Sequence, residues 1–226
     1  STFTIDPIEP YLNYWIKLLD YPFHFKVGEF NQVIQSLLDE QNCVYRNKAN
    51  FIFISLHDWL HSDAKIIDLV NELIYAMTFY RRKNKQLMIC VLTPPPKTTP
   101  YLKAIRLQEE RIKQEFATTS TILVYTHEDL MSIYSDDDYF NDFSYKQGAI
   151  PYKEEFYLSM ATFVIRHFAC TLRKPKKVVV LDCDNTLWQG SVGEEGIHGV
   201  QITSIHSQLQ NKMQALRKQG FLLALC

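Results

Sequence analysis

Gln86-Leu-Met-Ile-Cys-Val-Leu-Thr93 is a continuous apolar run of strand length, stopped by Pro94-Pro95-Pro96. A strand wetted on one side alternates apolar and polar residues. One that does not alternate needs cover on both faces, as strands of parallel sheets have. Upstream, Asn50-Phe-Ile-Phe-Ile-Ser-Leu56 reads the same way, and downstream residues 121–125 (TILVY) form a third such run. Helical spacing fills the gaps. Residues 64–83 place Ile66, Ile67, Val70, Leu73, Ile74 and Met77 inward, and residues 100–118 form a charged amphipathic helix. Parallel strands need a helix-sized crossover between them, so this alternation predicts an α/β fold, a three-layer αβα, doubly wound parallel sheet with helices on both faces.

Working outward from that core, residues 8–20 carry Ile8, Leu12, Trp15, Ile16 and Leu19 on one helical stripe. Residues 23–27 alternate as a short half-buried strand, and residues 29–38 return to helical spacing. Residues 128–134 predict a short helix. Residues 152–172 predict a long one carrying Phe156, Leu158, Met160, Phe163, Val164, Ile165 and Phe168.

Arg173-Lys-Pro-Lys-Lys177 contains a proline and no apolar residue, which makes it the expected linker at 173–177. The first domain is then 1–172 and the second 178–226. The second restarts with a strand at 178–181, a glycine-rich loop, a helix at 204–219, a turn at Gly220 and a strand at 221–225. This is one βαβ unit of a Rossmann-like domain. A chain without an initiator Met that ends on a buried strand predicts a domain cut from something longer.

Composition narrows the function classes. With 46% hydrophobic and 22% charged residues the chain builds a core, and a formal net charge of −1 draws it to neither nucleic acid nor an anionic membrane. No run of about 18 apolar residues exists to span a bilayer, and no secretory signal opens the chain. Cys43, Cys90, Cys170, Cys183 and Cys226 form no CxxC pair. An odd, scattered set predicts reduced thiols and a cytoplasmic location. There are only 7 glycines, under half the average usage of roughly 7%, and Gly190, Gly193, Gly196, Gly199 and Gly220 crowd the tail. A special backbone is expected there.

Immediately before those glycines stands Val178-Val-Val-Leu-Asp182-Cys-Asp184-Asn-Thr186-Leu-Trp188. Two carboxylates just beyond the carboxyl end of a parallel strand can both enter the crevice where α/β folds bind ligands. D-x-D alone reads equally as helix capping or turn hydration. D-x-D-x-T after an apolar strand and before a glycine-rich loop points to catalysis. Thr186 is expected to hold the loop by hydrogen bonding, or to form an ordinary turn.

This pattern resembles the first motif of the haloacid-dehalogenase-like (HAD) phosphotransferases. The resemblance implies that Asp182 is the nucleophile that attacks phosphorus and Asp184 the acid and then the base. Mg²⁺ would be held by the Asp182 carboxylate and the Asp184 backbone carbonyl. A hard cation with oxygen ligands offsets the repulsion between nucleophile and phosphate. The longer stretch, VVVLDCDNTLWQGSVGEEG, resembles the FkbH-like branch (subfamily IIIC-like), whose motif reads close to LDxDNTLWxGxxGExG. The likeness extends over the whole chain, including STFTIDPIEPYLNYWIKLL, EFNQVIQSLLDEQ and FISLHDWL, which look like that family's hydrolase-like amino-terminal domain.

The resemblance implies a glyceryl transferase/phosphatase of polyketide biosynthesis. Such a protein takes a phosphoglyceryl group from 1,3-bisphosphoglycerate, removes phosphate and loads glycerate on an acyl carrier protein, alone or within a multidomain synthase. Asn185, Thr186, Gly190 and Gly193 would form the substrate loop. Cys183 is a candidate thiol for a transient glyceryl thioester, or a core cysteine between two outward aspartates, and Cys226 is a second thiol near the same crevice. The family's Ser/Thr, Lys and further acidic motifs do not occur before Cys226, which predicts that these 226 residues alone are inactive. In Gly148-Ala149-Ile150-Pro151-Tyr152 an Ala stands where the family usually has His, and no Gly-Asp-Ser block occurs. The first domain is therefore expected to bind or position something. A generic Mg²⁺-dependent HAD phosphatase and a non-catalytic carrier-binding segment are the alternatives.

The remaining features read blandly. Arg81-Arg-Lys-Asn-Lys85 caps a helix end, Asp136-Asp-Asp138 is a solvated loop, and His57 with His61 lacks a third metal ligand. The aromatic residues follow core stripes and do not interleave with a basic patch.

Overall fold

The computed structural model describes residues 1–60, 63–135, 137–172 and 177–226. They divide into two compact units, Ser1–Ala169 and Cys170–Cys226.

In the first unit β1 (Ala49–Ile54), β2 (Leu87–Leu92) and β3 (Ile122–Tyr125) form a parallel sheet in the order β1-β2-β3. The register runs Ala49↔Leu87 to Ile54↔Leu92, and Met88↔Ile122 to Val91↔Tyr125. β2 is the central strand, and Met88, Ile89, Cys90, Val91 and Leu92 are all fully buried. Met88, Cys90 and Leu92 enter one core with α2 (Val33–Leu38), α3 (Asp63–Lys83) and α4 (Leu102–Phe116). Ile89 and Val91 enter the other, with α1 (Glu9–Leu18), α5 (His127–Ile133) and α7 (Glu154–Leu172). That division is the physical reason the run does not alternate. The fold is the expected three-layer α/β architecture. The two crossovers step across the sheet in one direction, with α3 and α4 on the same face, and α1 and α7 supply the opposite layer.

Tertiary burial drives the helices. On α3, Ile66, Val70, Leu73, Met77 and Tyr80 are all 2% exposed or less. Each such side chain contributes about 1.5–3 kcal/mol by leaving water. Ile67 and Leu158, which helical spacing placed inward, are exposed, as is Leu19. α5 is fixed by a reciprocal cap between Thr126 and Asp129. The three prolines after β2 lack N–H groups, yet their carbonyls need partners. Tyr152 Oη donates to Pro94 O at 3.0 Å and Tyr139 Oη to Pro95 O at 2.6 Å.

Three sequence expectations change. Residues 23–27 alternate in burial but join no ladder, so they are not a strand. Alternation reports an extended backbone, whereas a strand also needs a hydrogen-bonded neighbour. The helix expected over 29–38 begins only at Val33. A helix at Asp142–Gly148 (α6) was not foreseen. It ends on Ala149 in the left-handed region (φ 51°), whose carbonyl accepts Thr4 N–H at 2.9 Å. The linker residues 173–176, His61 of the histidine pair and Asp136 of the acidic run lie outside the described residues.

The second unit holds β4 (Val178–Leu181) and β5 (Leu222–Leu225), paired in parallel with Val178↔Leu222 and Leu181↔Leu225. α9 (Ser204–Lys218) makes the crossover. It is capped by Thr203 with His206, and it ends where Phe221 N–H reaches Leu216 O and Gly220 N–H reaches Arg217 O. Gly220 at φ 92° permits that left-handed stop. Among the described residues no helix is long and apolar enough to cross a membrane.

Candidate active site

β4 delivers the chain to the site. Asp182 is the first residue beyond the strand and is exposed. One of its oxygens, Oδ1, accepts Cys183 N–H at 2.9 Å. The chain then turns sharply. Cys183 O accepts Leu187 N–H at 2.8 Å and Thr186 N–H at 3.3 Å, with Leu187 buried beneath the loop. Asn185 makes the turn possible by adopting φ 57°, a region an amide side chain tolerates, and its Oδ1 accepts Gly190 N–H at 3.0 Å. Thr186 closes the loop through its backbone N–H. Gln210 of α9 donates to Leu187 O at 2.8 Å and ties the crossover helix to the same turn.

Asp184 is half-buried and fully engaged. Ser191 Oγ donates to Oδ2 at 2.9 Å, while Trp188 Nε1 and Val192 N–H donate to Oδ1 at 3.0 and 3.3 Å. The Ser191 hydroxyl, the Val192 amide and the Trp188 indole hold this carboxyl below its ordinary value of 3.8. The resting group is therefore an anion, suited to accept a proton. Donating one requires those three bonds to loosen.

The glycine-rich stretch, where a special backbone is expected, closes on a short antiparallel stem. Gln189 and Gln201 exchange two backbone hydrogen bonds of 2.8 and 2.9 Å. Between them the chain forms a short helix, α8 (Val192–Gly199), broken at Gly196 (φ 69°). Glu194 and Glu195 in its first turn favour the amino end of that helix. Gly190, at φ 93°, has a backbone reason to be glycine; a Cβ at Gly193 would meet Ser191 Oγ in ordinary contact at 4.0 Å, and its φ is not positive.

The two thiols differ. Cys183 is half-buried between the aspartates, and Cys226 is exposed, its N–H donating to Leu181 O at 3.0 Å beside the strand end that carries Asp182. Sequence reasoning named the two aspartates and did not name Trp188 or Ser191 as their partners. Both stand within seven residues of Asp184, but the contact exists only once Asn185 takes the left-handed turn.

The donor set suits part of a Mg²⁺ shell. Asp182 is a carboxylate facing water, and one of its oxygens accepts no hydrogen bond among the described residues. Mg²⁺ takes one or two carboxylates and keeps waters and phosphate oxygens for the rest. Among the described residues no group of three or more His, Cys, Asp or Glu could hold a metal by itself.

No protein-family model matches the chain, and no curated protein does either. One solved structure matches this chain from end to end: the N-terminal part of the protein BF1531 from Bacteroides fragilis, containing a phosphatase domain complexed with Mg. The TM-score is 0.74 at 19% identity, and the match covers 100% of this chain and 66% of that one. At that identity the likeness establishes the architecture: an α/β fold shared with the phosphatase-containing part of BF1531.

Proposed function

We propose that this chain carries the nucleophile loop of a Mg²⁺-dependent, HAD-type phosphatase or phosphotransferase. The observation that carries the reading is the pairing at one strand end of an exposed carboxylate, Asp182, with a second one, Asp184, held as an anion by three donors. The fold shared with a phosphatase-containing structure that binds Mg supports it.

In this reading an oxygen of Asp182 attacks phosphorus and the bond from phosphorus to the leaving oxygen breaks. Protonated Asp184 supplies the proton that the leaving oxygen takes. Water then attacks the aspartyl-phosphate, and Asp184, now a carboxylate, accepts its proton. A bound Mg²⁺ supplies positive charge between the two anions. The arrangement described here, with Asp184 engaged by Ser191 and Trp188, corresponds to the proton-accepting half.

The finer reading follows the FkbH-like resemblance. The donor is 1,3-bisphosphoglycerate, the acceptor is the thiol of an acyl carrier protein, and Cys183 is the candidate to hold the glyceryl group between them. The chain spans 66% of its structural neighbour, so the full-length protein is the proper test object. It should be incubated with an acyl phosphate and Mg²⁺, and the aspartyl-phosphate trapped by borohydride reduction and located by peptide mass. Label on Asp182 that disappears in Asp182→Asn is expected; label elsewhere, or none, overturns the reading. Intact-mass measurement of the carrier protein after incubation with 1,3-bisphosphoglycerate tests the finer one, which fails without a glyceryl adduct.

A further inference from the structure

The amino-terminal edge of the first unit's sheet carries a charge pattern that the fold does not require. Residues 41–48 lead into β1, 81–86 into β2 and 117–121 into β3, and none of the three stretches contains an Asp or Glu. They carry Arg46, Lys48, Arg81, Arg82, Lys83 and Lys85, all exposed. In a chain with a net charge of −1 that is a concentrated excess. β1 and β2 start in register at Ala49↔Leu87, so the chains entering at Lys48 and Lys85 run side by side. Side chains tie the stretches together: Asn84 Nδ2 donates to Tyr45 O at 3.0 Å, and Arg81 Nη1 to Thr119 Oγ1 at 2.7 Å.

Helix capping accounts for part of this. Arg81, Arg82 and Lys83 form the last turn of α3 and meet the negative end of its dipole. Arg46, Lys48 and Lys85 lie off the helix, where gathering like charges only costs. Glu40 takes one cation, Lys83, at 2.9 Å, while Arg46, Lys48, Arg82 and Lys85 form no ion pair among the described residues. Beside them α3 presents an aromatic stripe. Tyr75 is 63% exposed, its ring lies 6.5 Å from that of Phe79, and Lys83 Nζ stands 5.8 Å from the centre of the Phe79 ring. Residues 75, 79 and 83 are four apart and share one helix face.

Shape and charge select the partner. This edge is opposite the one at which α/β folds hold small ligands, so it serves a surface contact. Three strands about 4.8 Å apart make the rim about 10 Å wide, and the stripe from Tyr75 to Lys83 runs about 12 Å at about 1.5 Å per residue, the footprint of two or three helical turns. Nucleic acids and anionic membranes are extended polyanions drawn in by the field of a whole molecule, which a net charge of −1 does not supply. We propose that this basic rim, with the Tyr75–Phe79 stripe beside it, docks an acidic amphipathic helix of a partner protein. Carboxylates of that helix pair with Arg46, Lys48, Arg82 and Lys85, and its apolar edge lies along the two rings. The docking is independent of the chemistry of the aspartate loop.

Fluorescence anisotropy of the full chain with a labelled synthetic helix rich in Glu and Leu tests this. Binding is expected at low salt and should weaken as salt is added. Lys48→Glu/Lys85→Glu should weaken it about tenfold or more, and Tyr75→Ala, which leaves every charge in place, severalfold. Lys103→Glu makes the same kind of charge change at the start of α4, beyond the carboxyl end of β2, and should leave binding unchanged. All four positions are exposed, and the urea midpoint of each variant checks that it is folded. No binding at low salt, unchanged binding in both rim variants, equal weakening by Lys103→Glu, or tighter binding of an oligothymidylate or of phosphatidylserine vesicles would each overturn the proposal.

Discussion

β2 and β4 are composed alike, Leu-Met-Ile-Cys-Val-Leu and Val-Val-Val-Leu, and lie in very different surroundings. All five residues from Met88 to Leu92 are fully buried, whereas Val178 and Val180 are 52% and 60% exposed and their neighbours Leu222 and Leu225 exceed 60%. An apolar run thus reports that a strand is suited to two-sided cover. Whether it receives that cover depends on the layers around it. The first unit has helices on both faces of its sheet, while among the described residues of the second only Leu187 is buried.

The largest effect should come from making one truncation in each strand. Ile89→Ala is expected to cost about 3 kcal/mol or more, because the lost transfer energy is joined by a cavity between packed layers. Val180→Ala should stay within about 0.5 kcal/mol. Urea denaturation of the full chain measures both, and a comparable loss at Val180 would break the contrast.

Next in size is the buried pair Glu109–His127, whose atoms approach to 2.5 Å with both side chains under 10% exposed. Glu109→Ala leaves a buried imidazole without its acid and should cost about 3 kcal/mol. The same residue gives the first unit a pH signature. Burial raises the Glu109 carboxyl above its ordinary 4.5, outweighing the opposing pull of His127. Its contribution to stability is therefore complete below 4.5 and is lost as pH rises through the folded value. Asp184 has the opposite sign: its lowered value gives a contribution present above 3.8 and lost as pH falls through the folded one. Stability measured against pH for Glu109→Gln and Asp184→Asn, each compared with the parent, should diverge in opposite directions. Parallel curves would remove the distinction between the units.

Smaller again is Asn185→Ala, which removes the acceptor of Gly190 N–H and leaves an ordinary side chain in the left-handed region. About 1–2 kcal/mol should be lost, with faster exchange of the Gly190 amide in the second unit. The smallest is a gain. Ala149 caps α6 at φ 51°, so Ala149→Gly should stabilise the first unit by about 0.5–1 kcal/mol, read as a shift in the denaturation midpoint.

These residues also mark what the sequence makes legible. β1, β2, β3, α3, α4 and α7 are readable because burial on both sides of a sheet imposes long, unbroken patterns. Residues 23–27 mislead because pairing depends on a neighbour that the segment itself does not specify. α8 is hidden by glycine, which disfavours helix by about 1 kcal/mol per residue. It forms because the Gln189–Gln201 stem and the bonds to Asp184 hold its first turn. Asp182 and Asp184 are legible as a pair at a strand end. That Asp184 is engaged by Trp188 and Ser191 depends on one dihedral angle at Asn185, which no periodicity encodes.

The uncovered β4–β5 ladder has a colloidal consequence. Val178-Val-Val-Leu181 and Phe221-Leu-Leu-Ala-Leu225 are short, uncharged, proline-free segments rich in aliphatic residues, and they sit side by side in register with much of their surface in water. Segments of that kind template further strands, and the charges that adjoin them, Lys177 and Asp182, flank only the first. Concentration, more than temperature, should then set the working limit of a solution of this chain.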